Sequence, residues 1–127
     1  MDALVWVDAY EVQCCGEPFT VGLNVTWPMS GQLNIAAFME LTGADTAASV
    51  SMAVDRHARR AEDTVDHTGT VTRIERYRCR HAQGHVVPGT VEVRPIFEAD
   101  GWEPEEDGVD FVGYLVTLTD IQRAVEG

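Results

Sequence analysis

Segments in which apolar and polar residues alternate constrain the fold of this chain more than any other feature of its sequence. The clearest lies between Phe19 and Trp27, where every second side chain is apolar. This period of two is typical of a β-strand that buries one of its faces. The chain is therefore predicted to be mainly β. Further strands are predicted from Val-rich or alternating segments at residues 3–12, 69–81, 86–97 and 111–121.

Three segments are interpreted differently. Residues 30–42 begin with Ser30, which can cap a helix, and end before a glycine, so they predict one short helix. Residues 48–57 combine alternating apolar residues with Ala and Arg, and the alternation favours a strand. Residues 59–66 are charged and have no apolar face, which predicts an exposed loop.

The predicted architecture is one domain over residues 1–127, a small, partly closed, six-stranded antiparallel β-barrel of SH3-like or OB-like type. A helix at about residues 30–42 is inserted into it, and an acidic loop covers about residues 100–110. A chain of 127 residues can bury a core without disulfides or metals. Trp6 and Trp27 lie in apolar strands and are expected to be part of that core. A change of phase between Val71 and Ile74 predicts a bulge.

The charge of the chain bears on its partners. The formal net charge is -12, so a polyanion such as nucleic acid meets repulsion unless the basic residues share one face. All nine basic residues are Arg, and without Lys neither Schiff-base chemistry nor a phosphate-loop lysine is available. The first residues carry neither a basic region nor a long apolar run, so we expect no signal peptide, no membrane anchor and a cytoplasmic location.

Three sequence blocks carry a resemblance to a known family. They are VWVDAY, QCCGEPFTVGLNVTW and ADGWEPE, the first two lying near the start of the chain. With these blocks the chain resembles a family of short actinobacterial proteins known only as a domain of unknown function. The resemblance covers most of the chain and is most specific from Trp6 to Trp27. It implies a single domain, and it implies no activity, cofactor or site residue.

The cysteines suggest an alternative function. An odd number of cysteines in a chain without an export signal favours free thiols over disulfides. Cys14, Cys15, Cys79 and His81 together would form a sulfur and nitrogen set suited to zinc, although no paired Cys-x-x-Cys spacing is present. One of these thiols with a histidine base could also serve a small thiol-dependent enzyme. Buried thiols without a cofactor are the simpler interpretation.

A partner-binding face is predicted from the densest basic stretch. Arg76, Arg78 and Arg80 alternate along one predicted strand and share one face. Guanidinium groups form paired hydrogen bonds with carboxylates or phosphates, so this face suits an acidic protein partner. Single-stranded nucleic acid is the second alternative, disfavoured by the acidic composition.

A tryptophan in the acidic loop is a second candidate contact. Trp102 either folds back to plug one end of the barrel, which we favour, or stays exposed as a recognition anchor. The chain lacks a glycine-rich phosphate loop, a His-Glu-x-x-His helix and a Gly-x-Ser-x-Gly elbow, so an enzyme is disfavoured. We therefore expect a non-catalytic binding or adaptor module without a cofactor that contacts another protein. The sequence does not define its oligomeric state.

Overall fold

The structure, a computed structural model, describes residues 2–15, 17–31, 35–55, 64–103 and 108–124. The chain is mainly β, as predicted. The described helices are α1 (Ala9–Cys15), α2 (Ile35–Thr42) and α3 (Ala44–Ser49). The strands are β1 (Ala3–Asp8), β2 (Phe19–Thr20), β3 (Asn24–Ser30), β4 (Val50–Val54), β5 (Val65–Cys79), β6 (His81–Ala82), β7 (His85–Val86), β8 (Glu92–Ile96), β9 (Glu98–Ala99) and β10 (Asp110–Arg123).

The main sheet contains six strands and is ring-like. Their order is β10-β1-β4-β3-β5-β8, and β10 also pairs with β5, so the pairing returns to the strand where it started. The expectation of a wholly antiparallel sheet is wrong, because β1 and β4 pair in parallel. Parallel neighbours need a long crossover connection, and the segment from α1 to α3 supplies it.

The long antiparallel pair of β5 and β10 forms the frame of this sheet. Val71 pairs with Leu118 and Arg73 pairs with Thr117, which leaves Thr72 as an extra residue on β5. This is the predicted bulge. It returns Ile74 to the same buried cluster as Val71, and neither of these two side chains is exposed to solvent.

The helices differ from the prediction in three places. Residues 9–12 belong to α1 and not to a strand, because the side chain of Asp8 accepts a hydrogen bond from the amide of Tyr10 at 3.3 Å and begins the helix. Ser30 is a buried residue of β3, and α2 begins at Ile35, while α3 occupies the first part of the segment expected to be a strand. Most of the predicted loop 59–66 lies outside the described residues. None of the described helices is long and apolar enough to cross a membrane.

Two apolar clusters lie on opposite faces of the sheet. The inner cluster includes Trp27, whose ring packs edge-on against Phe19 at 5.0 Å. The outer cluster is formed where α2 and α3 cover the sheet, and there Trp6 meets Phe38 at 5.2 Å and Tyr77 at 5.6 Å. Both Trp6 and Trp27 are 6% exposed, so their predicted place in the core is confirmed.

Candidate functional site

A cleft opens where the parallel strands β1 and β4 end side by side. Asp8 is the last residue of β1, and Asp55 directly follows β4. Trp6 pairs with Ala53, so the same register carried two residues further brings Asp8 beside Asp55. Both aspartates line the cleft. The carboxyl ends of neighbouring parallel strands are a common position for binding sites.

The cleft combines an apolar floor with an acidic lining. Its volume is about 650 Å³, within the usual range for binding sites. Trp6 and Phe38 are buried residues of the floor, whereas Tyr10 is 62% exposed at the rim. The carboxylates that line the cleft come from five separate parts of the chain. They are Asp8, Glu11, Glu40, Asp55 and Asp110.

The hairpin of β6 and β7 forms one wall of the cleft. Gln83 and Gly84 both have positive φ, 54° and 80°, as a tight two-residue hairpin turn requires. His81 Nδ1 lies 3.0 Å from a carboxylate oxygen of Asp110 on β10. His85 Nδ1 lies 3.1 Å from a carboxylate oxygen of Glu40 on α2. The hairpin is therefore held from two sides of the opening.

The candidate metal and thiol residues are only partly brought together. Cys79 and His81 are in contact, with 3.7 Å from Sγ to Nε2 and 3.9 Å from Sγ to Nδ1. The structure describes the backbone of Cys14 and Cys15 as the end of α1, but not their side chains. In the described part of the chain, no three His, Cys, Asp or Glu side chains are grouped to hold a metal ion.

The geometry at Cys79 does not resemble that of an activated nucleophile. A histidine base approaches its nucleophile through one ring nitrogen, whereas this sulfur lies almost equally far from both. Cys79 is completely buried. Burial, and secondly the nearby charge of Asp110, raise the pKa of its thiol. The thiol is therefore protonated at neutral pH and closed to the cleft.

The predicted arginine face is largely turned to the interior. Arg76 Nη1 and Arg78 Nη2 donate to the same Glu103 oxygen, at 3.1 Å and 3.0 Å. The other Glu103 oxygen accepts a hydrogen bond from the Tyr114 hydroxyl at 3.0 Å. Arg78 is 4% exposed, so it belongs to a buried charge cluster. Arg80 is exposed, beyond the end of β5.

Trp102 projects from the loop that this charge cluster anchors. The expectation that it folds back as a plug is wrong, because the side chain is 87% exposed. The residues on either side are fixed: Gly101 is buried against Val12, and Glu103 carries the arginine contacts. The loop therefore presents Trp102 to solvent from a firmly packed base.

Trp102→Ala is expected to change the free energy of unfolding by less than about 0.5 kcal/mol, because an exposed side chain contributes little packing. Trp27→Ala is the matched comparison, since it removes a buried ring and should cost about 3–5 kcal/mol. Urea unfolding followed by circular dichroism measures both. A large loss in the Trp102 variant would contradict the exposed position of this ring.

The chain is expected to lose stability at alkaline pH because of the buried Tyr114 hydroxyl. Burial, and then the hydrogen bond to Glu103, raise the pKa of Tyr114. The folded chain therefore keeps this proton after the unfolded chain loses it, so stability falls as pH rises above about 10, by about 1.4 kcal/mol per pH unit. Tyr114→Phe should remove the contribution of Tyr114 to this loss and so make it smaller than in the wild type. Urea unfolding of the wild type and of Tyr114→Phe at pH about 7 and about 11 measures this contribution. An equal decrease in the free energy of unfolding of both proteins at the higher pH would refute the prediction.

Comparison with known protein families shows that a family model matches most of the chain. The family of unknown function DUF6578 matches residues 1–120. No curated protein matches the chain. No solved structure matches it either.

Proposed function

We propose that this chain, which belongs to the DUF6578 family of unknown function, is a non-catalytic binding module that holds part of another protein in its cleft. The observation that carries the proposal is the cleft itself, about 650 Å³ in volume, with buried Trp6 and Phe38 beneath it and exposed Tyr10 at its rim. Aromatic side chains at a concave surface are typical of protein contacts.

Two observations favour binding over the alternatives. A thiol-dependent enzyme needs an accessible, ionised nucleophile, whereas Cys79 is completely buried and its pKa is raised by that burial. Single-stranded nucleic acid needs exposed guanidinium groups, whereas Arg76 and Arg78 are occupied by Glu103. The carboxylates that line the cleft also repel phosphates.

Trp102 is the second candidate contact. An exposed tryptophan on a fixed loop is a frequent anchor in protein interfaces. It does not line the cleft. The two contact sites can therefore be tested separately.

Site-specific photo-cross-linking distinguishes these sites. A photoreactive amino acid replaces Tyr10, Trp102 or, as a control on the exposed strand β8, Val93, in cells that naturally make the protein. We expect one discrete protein adduct from position 10, identified by mass spectrometry. Binding of that purified partner should weaken at least about tenfold in Tyr10→Ala.

The outcomes separate the hypotheses. An adduct from position 102 alone would move the contact to the loop and refute the cleft as the binding site. Equal adducts from position 93 would show nonspecific contact and contradict both surfaces.

A further inference from the structure

We infer that the chain forms a homodimer in which strand β8 pairs antiparallel with β8 of a second copy. No residue of β8 lines the cleft, so the dimer is independent of the proposed function. Three features of β8 support it: its open edge, the direction of its backbone groups and the order of its charges.

Strand β8 (Glu92–Ile96) is the last strand of the main sheet. It pairs with β5, and none of the other described strands pairs with it. Residues 92–95 are all exposed, and Val93 is 44% exposed. An edge strand of this kind offers N–H and C=O groups with which the strand of another chain can pair.

The position of Pro95 indicates which backbone groups of β8 face the open edge. In an antiparallel pair, opposite residues alternate between those that exchange hydrogen bonds and those that do not. Pro95 has no N–H, so its pair with Glu75 is assigned to the second kind. Val93 precedes it by two residues and has the same orientation. The N–H and C=O of Val93 therefore point away from β5, to the open edge.

The backbone of β5 gives the same orientation. Strands β3 and β8 lie along one edge of β5, opposite β10. On that edge the amide of Val71 donates to the backbone oxygen of Leu23 at 2.9 Å. Ile74 shares the buried face of Val71, so its backbone groups also point to that edge, towards Ile96. Glu75, the next residue, points the other way, as its pair with Pro95 requires.

The charges of β8 are self-complementary about Val93. Glu92 precedes Val93 and Arg94 follows it. If Val93 lies opposite Val93 of the second copy, each Glu92 lies opposite an Arg94, and opposite charges across a strand pair stabilise it. Sliding one strand by two residues either way would place Glu92 opposite Glu92, or Arg94 opposite Arg94. The charges therefore select the register centred on Val93.

This register also gives Arg94 an acidic partner. None of the ion pairs between described residues includes Glu92 or Arg94. The residue opposite Arg94 on β5 is Arg76, which already contacts Glu103. Like charges opposite each other on neighbouring strands are destabilising. A carboxylate from the second copy would offset that repulsion.

Sedimentation equilibrium from about 10 μM to 1 mM protein measures the dimer, since a short edge strand predicts a weak association. Salt of about 150 mM limits the general repulsion between acidic chains. Glu92→Arg and Arg94→Glu should each weaken dimerisation at least about tenfold, because like charges then face each other. A mixture of these two variants should form a mixed dimer within about threefold of the wild-type affinity, since opposite charges face each other again.

Glu98→Arg is the matched control, because it makes the same charge change at an exposed position of β9. It should change dimerisation less than about twofold. Equal effects of Glu92→Arg and Glu98→Arg would show a general charge effect and overturn pairing through β8. A wild-type chain that stays monomeric up to about 1 mM would overturn the homodimer itself. A mixture that associates no better than its components would refute the register.

Cross-linking at position 93 gives a second readout that needs no charge variant. A photoreactive residue there should give a covalent adduct of two copies of this chain at concentrations where sedimentation shows dimers. If it does not, the dimer uses another surface and the inference is overturned. The mass of this adduct distinguishes it from the partner adduct expected at position 10, so either proposal can fail without the other.

Discussion

Glu103→Gln is expected to lower the free energy of unfolding by about 3–5 kcal/mol, because it removes the negative charge that contacts two largely buried guanidinium groups, those of Arg76 and Arg78. The side chains of Glu103 and Arg78 are 9% and 5% exposed. Glutamine keeps the size of the side chain but removes the charge from both ion pairs, and breaking a buried ion pair by removing one partner is strongly destabilising.

Glu75→Gln is the matched control for this variant. Glu75 forms an ion pair of 3.4 Å with Arg73, whose side chain is 61% exposed, so the same substitution should cost less than about 1 kcal/mol. Urea unfolding at neutral pH measures both variants. Similar decreases in the free energy of unfolding of the two variants would contradict the conclusion that burial makes the Glu103 ion pairs important for stability.

Gly113→Ala is expected to lower the free energy of unfolding by about 3 kcal/mol or more. A Cβ atom at this position would lie 2.5 Å from the Trp6 ring and 2.6 Å from the backbone oxygen of Val7. The backbone oxygen belongs to the paired strand β1 and cannot move alone. Gly113 also has φ of 153° at a register shift of β10, where a side chain is strained.

The comparison for this variant is Gly31→Ala, since a Cβ atom there would meet nothing within 4 Å. It should be close to neutral in urea unfolding. Because Trp6 forms part of the cleft floor, Gly113→Ala should also weaken binding of the cross-linked partner to protein that remains folded. A Gly113 variant as stable as wild type would contradict the close approach of β1 and β10.

Local patterns predicted the strands in part, because alternation reports directly which face of a strand is buried. The single strand predicted from Phe19 to Trp27 is wrong, since β2 ends at Thr20 and β3 begins at Asn24, with a turn between them in which Gly22 has φ of 95°. The alternation from Phe19 to Trp27 and the change of phase at Val71 both depend on neighbouring residues only. The parallel pairing of β1 with β4 could not be predicted, since it depends on a crossover between distant segments. Helix α1 was missed because Val12 and Tyr10 favour strands, while the capping role of Asp8 was overlooked.

The candidate site could not be predicted from the sequence for the same reason. Val7-Asp8 and Val54-Asp55 are the same two-residue signal at two strand ends, but only the parallel pairing makes it one site. Arg76 and Arg78 were placed correctly on one face of β5, whereas Arg80 lies beyond its end. The partner of Arg76 and Arg78, Glu103, lies 27 and 25 positions away in a loop. A single sequence does not reveal which acidic residue meets which basic residue.

The pairing of β10 with both β1 and β5 has a consequence for the chain during its synthesis. β1 is made before the other described strands, but its partner β10 is made last of them. Until β10 arrives, one edge of β1 has no partner and Trp6 lacks Leu115 opposite it. The floor of the cleft is therefore complete only after β10 has been made, so a chain that lacks β10 does not yet present the contact surface that we propose.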